Sequence, residues 1–215
     1  MKFKSLLVML VAGLIGLPFM IYGEEDIPAL REKAERGNAL AQNNLGAIYH
    51  NGEGVAPDYK EAFKWYRLAA KQGFSEAQYN LGVMYSFGNG VSQDYKEASK
   101  WFRLAAKQGI ADAQYSLGIR YANGEGVPKD YKEAFKWHRL AAEQGHAKAQ
   151  LTLGIMYCGG EGVPKDYEKA YAWANIAAVQ GESAKARNLI AKNMTPSQLK
   201  KGQQLSRKYA KKYMK

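Results

Sequence analysis

A unit of 36 residues is written four times between Ala39 and Glu182, and this periodicity restricts the fold more than any other feature of the chain. The copies open as ALAQNNLG, SEAQYNLG, ADAQYSLG and AKAQLTLG. They close as AAKQGF, AAKQGI, AAEQGH and AAVQGE. A unit this short cannot bury its apolar side chains within itself, so it stacks on its neighbours. The expected class is therefore all-α: an α/α superhelical solenoid of helix-turn-helix repeats.

Each unit reads as two helices. In the first copy Ala41, Leu45, Gly46 and Tyr49 share one helical face, and Asn51-Gly52-Glu53-Gly54 ends that helix. Asp58 opens the second, with Glu61 three residues on in capping-box spacing. Asp94 with Glu97 and Asp130 with Glu133 repeat the pair, whereas Lys169 breaks it in copy four. Gly46, Gly82, Gly118 and Gly154 sit mid-helix, where glycine costs about 1 kcal/mol against alanine. Its recurrence there predicts close helix approach. Trp65, Trp101, Trp137 and Trp173 are the expected large fillers of the core.

The pattern A-x-x-x-L-G-x-x-Y, then G-x-G-V-x-x-D-Y-x-x-A, then W-x-x-x-A-A-x-x-G resembles the Sel-one-like repeat, a relative of the tetratricopeptide repeat, over residues 39–182. The resemblance implies an adaptor surface for a protein or extended peptide, frequently in exported bacterial chains, with no enzymatic activity and no cofactor. It also implies that the first helices line a concave groove. Aligned on the Leu-Gly pair, the groove positions that differ between copies include Asn43, His50, Glu76, Tyr79, Asp112, Tyr115 and Lys148. Tyr79 and Tyr115 are the strongest candidates, because rigid aromatics with a polar tip dominate interface energetics. Neutral drift on an exposed face is the competing explanation of that variation.

Both ends depart from the repeat. Residues 1–23 carry Lys2 and Lys4 and then an apolar run from Leu6 to Tyr22, the pattern of a signal peptide cut near Gly23 for a periplasmic or secreted product. An uncleaved inner-membrane anchor is the alternative, although the run is near the lower length limit for spanning. Residues 24–38 read as a degenerate capping half-repeat, followed by repeats at 39–74, 75–110, 111–146 and 147–182. Residues 183–215 read as C-terminal capping helices with a basic tail. Charge divides along the same lines: residues 24–182 hold 19 Lys and Arg against 20 Asp and Glu, whereas 183–215 hold ten basic residues and no acidic one. A near-neutral solenoid argues against nucleic acid as a partner. The tail is either a cap with a solvated lysine face or a docking element for membrane or cell wall, and the second option defines an envelope-associated structural protein as the alternative function.

Reactive chemistry finds little footing. Cys158 is the only cysteine, so no disulfide framework exists. Ser197-Gln198-Leu199-Lys200 fits S-x-x-K, but K-T-G and S-D-N companions are absent, which leaves β-lactam binding or hydrolysis a remote alternative. His50, His138 and His146 occupy three different repeat positions without metal-ligand spacing. No catalytic, cofactor or metal residue is expected.

Overall fold

The computed structural model describes residues 27–214, so the expected leader lies outside the described residues. The described chain is helical throughout. Helix α1 (Ile27–Glu35) is followed by four pairs: α2 (Ala39–Asn51) with α3 (Tyr59–Lys71), α4 (Ser75–Phe87) with α5 (Tyr95–Lys107), α6 (Ala111–Asn123) with α7 (Tyr131–Glu143), and α8 (Ala147–Gly159) with α9 (Tyr167–Val179). Helices α10 (Ala184–Lys192) and α11 (Pro196–Tyr213) close the array. Each helix packs chiefly on its partner in the pair and on the adjacent pair, which makes the molecule a solenoid.

The turn inside each pair is fixed by backbone chemistry. Gly52 ends α2 at φ 75°, in the left-handed region, and the Asp58 amide donates to the Tyr49 carbonyl at 2.9 Å. Asp94, Asp130 and Asp166 repeat that closure onto Tyr85, Tyr121 and Tyr157. Asp58 also accepts from the amides of Lys60 and Glu61. The expected reciprocal half of the capping box does not form there. Glu61 instead accepts from the Trp65 indole at 3.1 Å and pairs with Lys64, partners that the helix brings to it at i+4 and i+3. The complete box is at Thr195 and Gln198, at the start of α11.

Within a pair, the mid-helix glycine receives the side chain that follows the tryptophan, not the tryptophan itself. A Cβ on Gly46, Gly82 or Gly118 would stand 2.7, 2.7 or 2.5 Å from the rings of Tyr66, Phe102 and His138. In the fourth pair the equivalent residue is Ala174, and α8 approaches the backbone of α9 directly. The tryptophans join units. Trp65 packs with Leu30, Ala34, Ala41 and Leu45, while Trp137 packs with Ala98, Phe102 and Ala105 of the preceding unit. Trp101, also set against the preceding unit, is only half-buried.

A row of glutamines, not anticipated from the sequence, ties the units together. Gln42, Gln78, Gln114 and Gln150 are 4 % exposed or less. Each donates from Nε2 to the carbonyl of Ala34, Ala70, Ala106 or Ala142, on the second helix of the preceding unit or the cap, at 3.0–3.2 Å. Each also accepts from Gln72, Gln108, Gln144 or Gln180 at the end of its own second helix, at 2.6–2.8 Å. Both halves were visible as the recurring Ala-Gln and Gln-Gly dipeptides. A buried amide with two well-placed partners is a directional fastener as well as a satisfied polar group.

Helix α11 folds back over the second-helix side. Lys201 reaches Glu168 at 3.7 Å, Asn175 bonds Ser206 at 2.8 Å, and Met214 lies beside Val179, so α11 runs in the same direction as α9. Tyr209 and Tyr213 cover Trp173, with ring centroids 4.5 and 5.2 Å away. This accounts for two of the changes on α9: Arg67 and Leu68 in copy one correspond to Asn175, which bonds Ser206, and Ile176, which is 1 % exposed, whereas Val179 at the Lys71 position stays 65 % exposed.

Candidate functional site

Two adjoining clefts open on the first-helix side. One, of ≈ 320 Å³ between α2 and α4, is lined by Ala47, His50, Asn51, Tyr66, Tyr79, Asn80 and Val83. The other, of ≈ 280 Å³ across α4, α6 and α8, is lined by Tyr79, Val83, Phe87, Asp112, Tyr115, Ser116, Ile119, Arg120, His146 and Lys148, among others. Tyr79 and Val83 belong to both, so they form the ridge between two halves of one trough. The 36-residue period places them there: residues one unit apart stand at equivalent points on successive first helices.

The second cleft carries the denser chemistry. His146 sits at the N-cap of α8, where its Nδ1 accepts from the Ala149 amide at 3.1 Å. That bond leaves Nδ1 unprotonated and puts the ring proton on Nε2, which faces Asp112 Oδ1 at 3.3 Å. The hydrogen bond from His146 holds the Asp112 carboxyl below the usual aspartate range, against the opposing effect of burial. Tyr115 stacks on His146 with centroids 4.7 Å apart and meets His138 in a tilted contact at 5.3 Å. Burial drives the His138 pKa down to about 4, so this imidazole is neutral at pH 7. Tyr79 is held above the ordinary phenol value first by burial and then by the Asp112 charge, partly offset by its hydrogen bond with Ser116. Arg120 is committed elsewhere: it pairs with Glu125 and lies over the Tyr95 ring at 4.7 Å.

The residues singled out in the sequence separate here. Tyr79, Asp112, Tyr115 and Lys148 come together in the second cleft, and His50 lines the first, where burial lowers its pKa. Asn43 is 8 % exposed and accepts from Asn80 at 3.3 Å, so it joins α2 to α4 inside the wall and offers little surface. Glu76 is exposed and bonds Ser75, outside the lining of both clefts. Sequence reasoning missed Asn80, Phe87, Ser116 and His146. Phe87, 70 % exposed at the end of α4, had a readable signal as an aromatic where the other copies carry Asn or Gly. His146 lies just before the first helix, outside the positions aligned on Leu-Gly.

The reactive candidates are dispersed. Ser197 and Lys200 are exposed on the first turn of α11, away from both clefts. Cys158 is a half-buried free thiol packed beside Ile190 and Tyr171. Among the described residues no three His, Cys, Asp or Glu side chains gather to hold a metal ion, and no helix is long and apolar enough to cross a membrane.

Tandem helix pairs, an interior of repeated alanine, glycine and glutamine contacts, and a shallow trough of varied side chains define a helical-repeat binding scaffold. The chain belongs to the Sel1 repeat family, whose model matches residues 39–74, 75–110, 111–146 and 147–182. It is similar to a Sel1 repeat protein from Oxalobacter formigenes, at 38% identity and a TM-score of 0.70, over 78% of this chain and 48% of that one. It is also similar to a protective antigen of uropathogenic Escherichia coli with an SLR fold, at 34% identity and a TM-score of 0.59, over 87% of this chain and 48% of that one. Residues of this chain are 43% identical, over 67 positions, to the secretory immunoglobulin A-binding protein EsiB of Escherichia coli O6:H1, covering 31% of this chain and 14% of that protein. The chain thus spans about half the length of those two structures and a small part of EsiB. Sel1 repeat proteins are in general protein-interaction scaffolds rather than enzymes.

Proposed function

We propose that the chain is a non-enzymatic adaptor of the bacterial envelope, periplasmic or exported, that seats a protein segment or extended peptide in the trough across α2 to α8. The observation that carries this reading is the continuity of the two clefts through Tyr79 and Val83. A single extended segment laid across that ridge would meet His50 and Asn80 at one end and the Asp112, Tyr115 and Lys148 group at the other. Tyr79 and Tyr115 supply rigid apolar area. The hydrogen bond from His146 to Asp112 holds that carboxylate in place, prearranged to receive polar groups without reorganising. The apolar leader supports the envelope assignment, as does similarity to a protein described as a protective antigen.

The test is a photo-crosslinking residue placed at Tyr115 in cells, with a second chain labelled at Lys136 on the second-helix side. The expected outcome is a discrete protein adduct from Tyr115 alone, whose purified partner binds about 30-fold more weakly to Tyr79→Ala, the loss typical of a central interface aromatic. Identical adducts from both positions, or a partner indifferent to Tyr79→Ala, would refute the groove reading.

A further inference from the structure

The near-neutral charge of the repeats conceals a strong segregation. Helices α3, α5 and α7 carry eleven Lys and Arg against four Glu, almost all exposed, at positions i, i+4, i+7 and i+11 of one face. Lys64, Lys100, Lys136 and Arg139 are paired with glutamates on their own helices. Among the described residues, Lys60, Lys71, Lys96, Lys107 and Lys132 have no ion-pair partner. Helix α11 lies on the same side over α9 and adds Lys200, Arg207, Lys208, Lys211 and Lys212, most of them exposed. The basic tail therefore does not stand alone; it prolongs a basic surface built by three second helices.

Leucines are set into this field at one repeat position. Leu68 and Leu104 are 40 % and 44 % exposed, and Leu140 is half-buried. Each follows an arginine, and Lys71 and Lys107 follow the first two at one helical turn. At the fourth position Ile176 is covered by α11, whose lysines take over the surface.

We propose that this outer face docks on an anionic phospholipid bilayer, the lysines at the phosphates and the exposed Leu68 and Leu104 at the headgroup–acyl boundary. Basic charge alone would suit any polyanion. Exposed leucines interleaved with lysine do not suit a phosphodiester polymer, which offers aliphatic side chains nothing, but they match the interface of a bilayer. Lysines without fixed, bidentate geometry serve a diffuse anionic surface rather than a defined ligand. The apolar side of α11 is already spent on Trp173 and Ile176, so docking uses the assembled face and not an inserted helix. The trough lies on the opposite side and stays open, which makes this inference independent of the adaptor reading.

The experiment places an environment-sensitive fluorophore on the full chain at Leu104→Cys in a Cys158→Ser background, with Lys148→Cys as the trough-side control. Vesicles contain phosphatidylcholine alone or with one quarter phosphatidylglycerol. The expected result is a blue shift at position 104 on anionic vesicles only, reversed by high salt, with position 148 unchanged. Replacing Lys60, Lys71 and Lys107 by Gln should lower vesicle partitioning about 100-fold, or about fivefold per charge, with unchanged circular dichroism. Tyr79→Ala should have no effect. No shift at position 104, equal shifts at both positions, or a shift produced by duplex DNA and not by vesicles would overturn the proposal.

Discussion

The glutamine row makes a quantitative claim about how the units are coupled, and Gln78→Met tests it. Methionine keeps the length and most of the volume of the side chain, so little cavity opens. What disappears is the 3.2 Å bond to the Ala70 carbonyl of the first unit and the 2.8 Å bond from Gln108 of the second. At about 1 kcal/mol net for each neutral hydrogen bond, the loss is about 2 kcal/mol. Ala70 keeps the backbone donor from Gly73, and Gln108 keeps its bond to the Gly73 carbonyl at 3.0 Å, so no group is left wholly unpaired and the loss should not run much higher. Because Gln78 links the first two units, the effect is a weakened interface rather than a weakened helix. Urea unfolding should therefore show a lower midpoint and a broader transition as the first unit and cap loosen ahead of the rest. A double-mutant cycle with Gln108→Met should be non-additive by about 1 kcal/mol, the shared bond being lost only once. A change for Gln78→Met under about 0.5 kcal/mol, the range of ordinary surface substitutions, would refute the idea that these amides fasten the units.

Three further outcomes follow from the packing. Gly118→Ala places a Cβ 2.5 Å from the buried His138 ring and should destabilise by about 1–3 kcal/mol, and combining it with His138→Ala should recover part of that loss in the same unfolding assay. His138 itself sets a pH slope: its folded pKa of about 4 lies below the unfolded value of 6.5, so the unfolded chain takes up the proton first. Stability is complete above pH 6.5 and falls as pH drops toward 4, by up to about 3 kcal/mol, and His138→Phe, the residue type of copy two at Phe102, should flatten that slope in denaturation from pH 4.5 to 7.5. Tyr209→Ala should cost about 2 kcal/mol by uncovering Trp173 and should red-shift tryptophan emission, whereas Lys208→Ala should change neither.

The fold was legible because the repeat writes each packing requirement four times. The glycine at 46, 82, 118 and 154 announced the close approach, and the aspartates at 58, 94, 130 and 166 announced the helix starts. Trp65, Trp137 and Trp173 fill the core as expected, but the side chain seated over the glycine is the one that follows each tryptophan, which the sequence did not single out. That residue varies as Tyr66, Phe102, His138 and Ala174, and variation at a position is easily taken for freedom. Here it reflects a site where several ring shapes fit over a glycine, and where alanine fits once the helices close up. The same error placed Asn43 in the groove: its exchange for Tyr79, Tyr115 and Leu151 looked like recognition diversity, yet its amide is spent on Asn80. A linear register gives the angle of a residue around its helix. It does not give the depth of the neighbouring helix, and depth decides whether a side chain reaches solvent.

That distinction also explains why two surfaces emerge from one repeat. First-helix positions facing the trough are short of repeated packing duties, so Tyr79 and Tyr115 can stand where copy four has Leu151, and Glu76, Asp112 and Lys148 can share one register position. Second-helix outer positions, mostly free of core packing, nevertheless stay alike: Lys60, Lys96 and Lys132, Arg67, Arg103 and Arg139, and the exposed Leu68 and Leu104. Arg103 earns part of its constancy by donating to the Tyr121 hydroxyl of the next unit at 2.9 Å, as Arg31 does to Tyr49. The lysines and leucines have no such bond to account for their sameness. A surface that is uniform without an internal reason suits an extended, repetitive counterpart such as a bilayer, and a surface that differs from unit to unit suits a segment of defined sequence. Exchanging Leu68 and Leu104 for Gln separates the two demands: the fold and the trough should be unaffected, and only vesicle binding should fall.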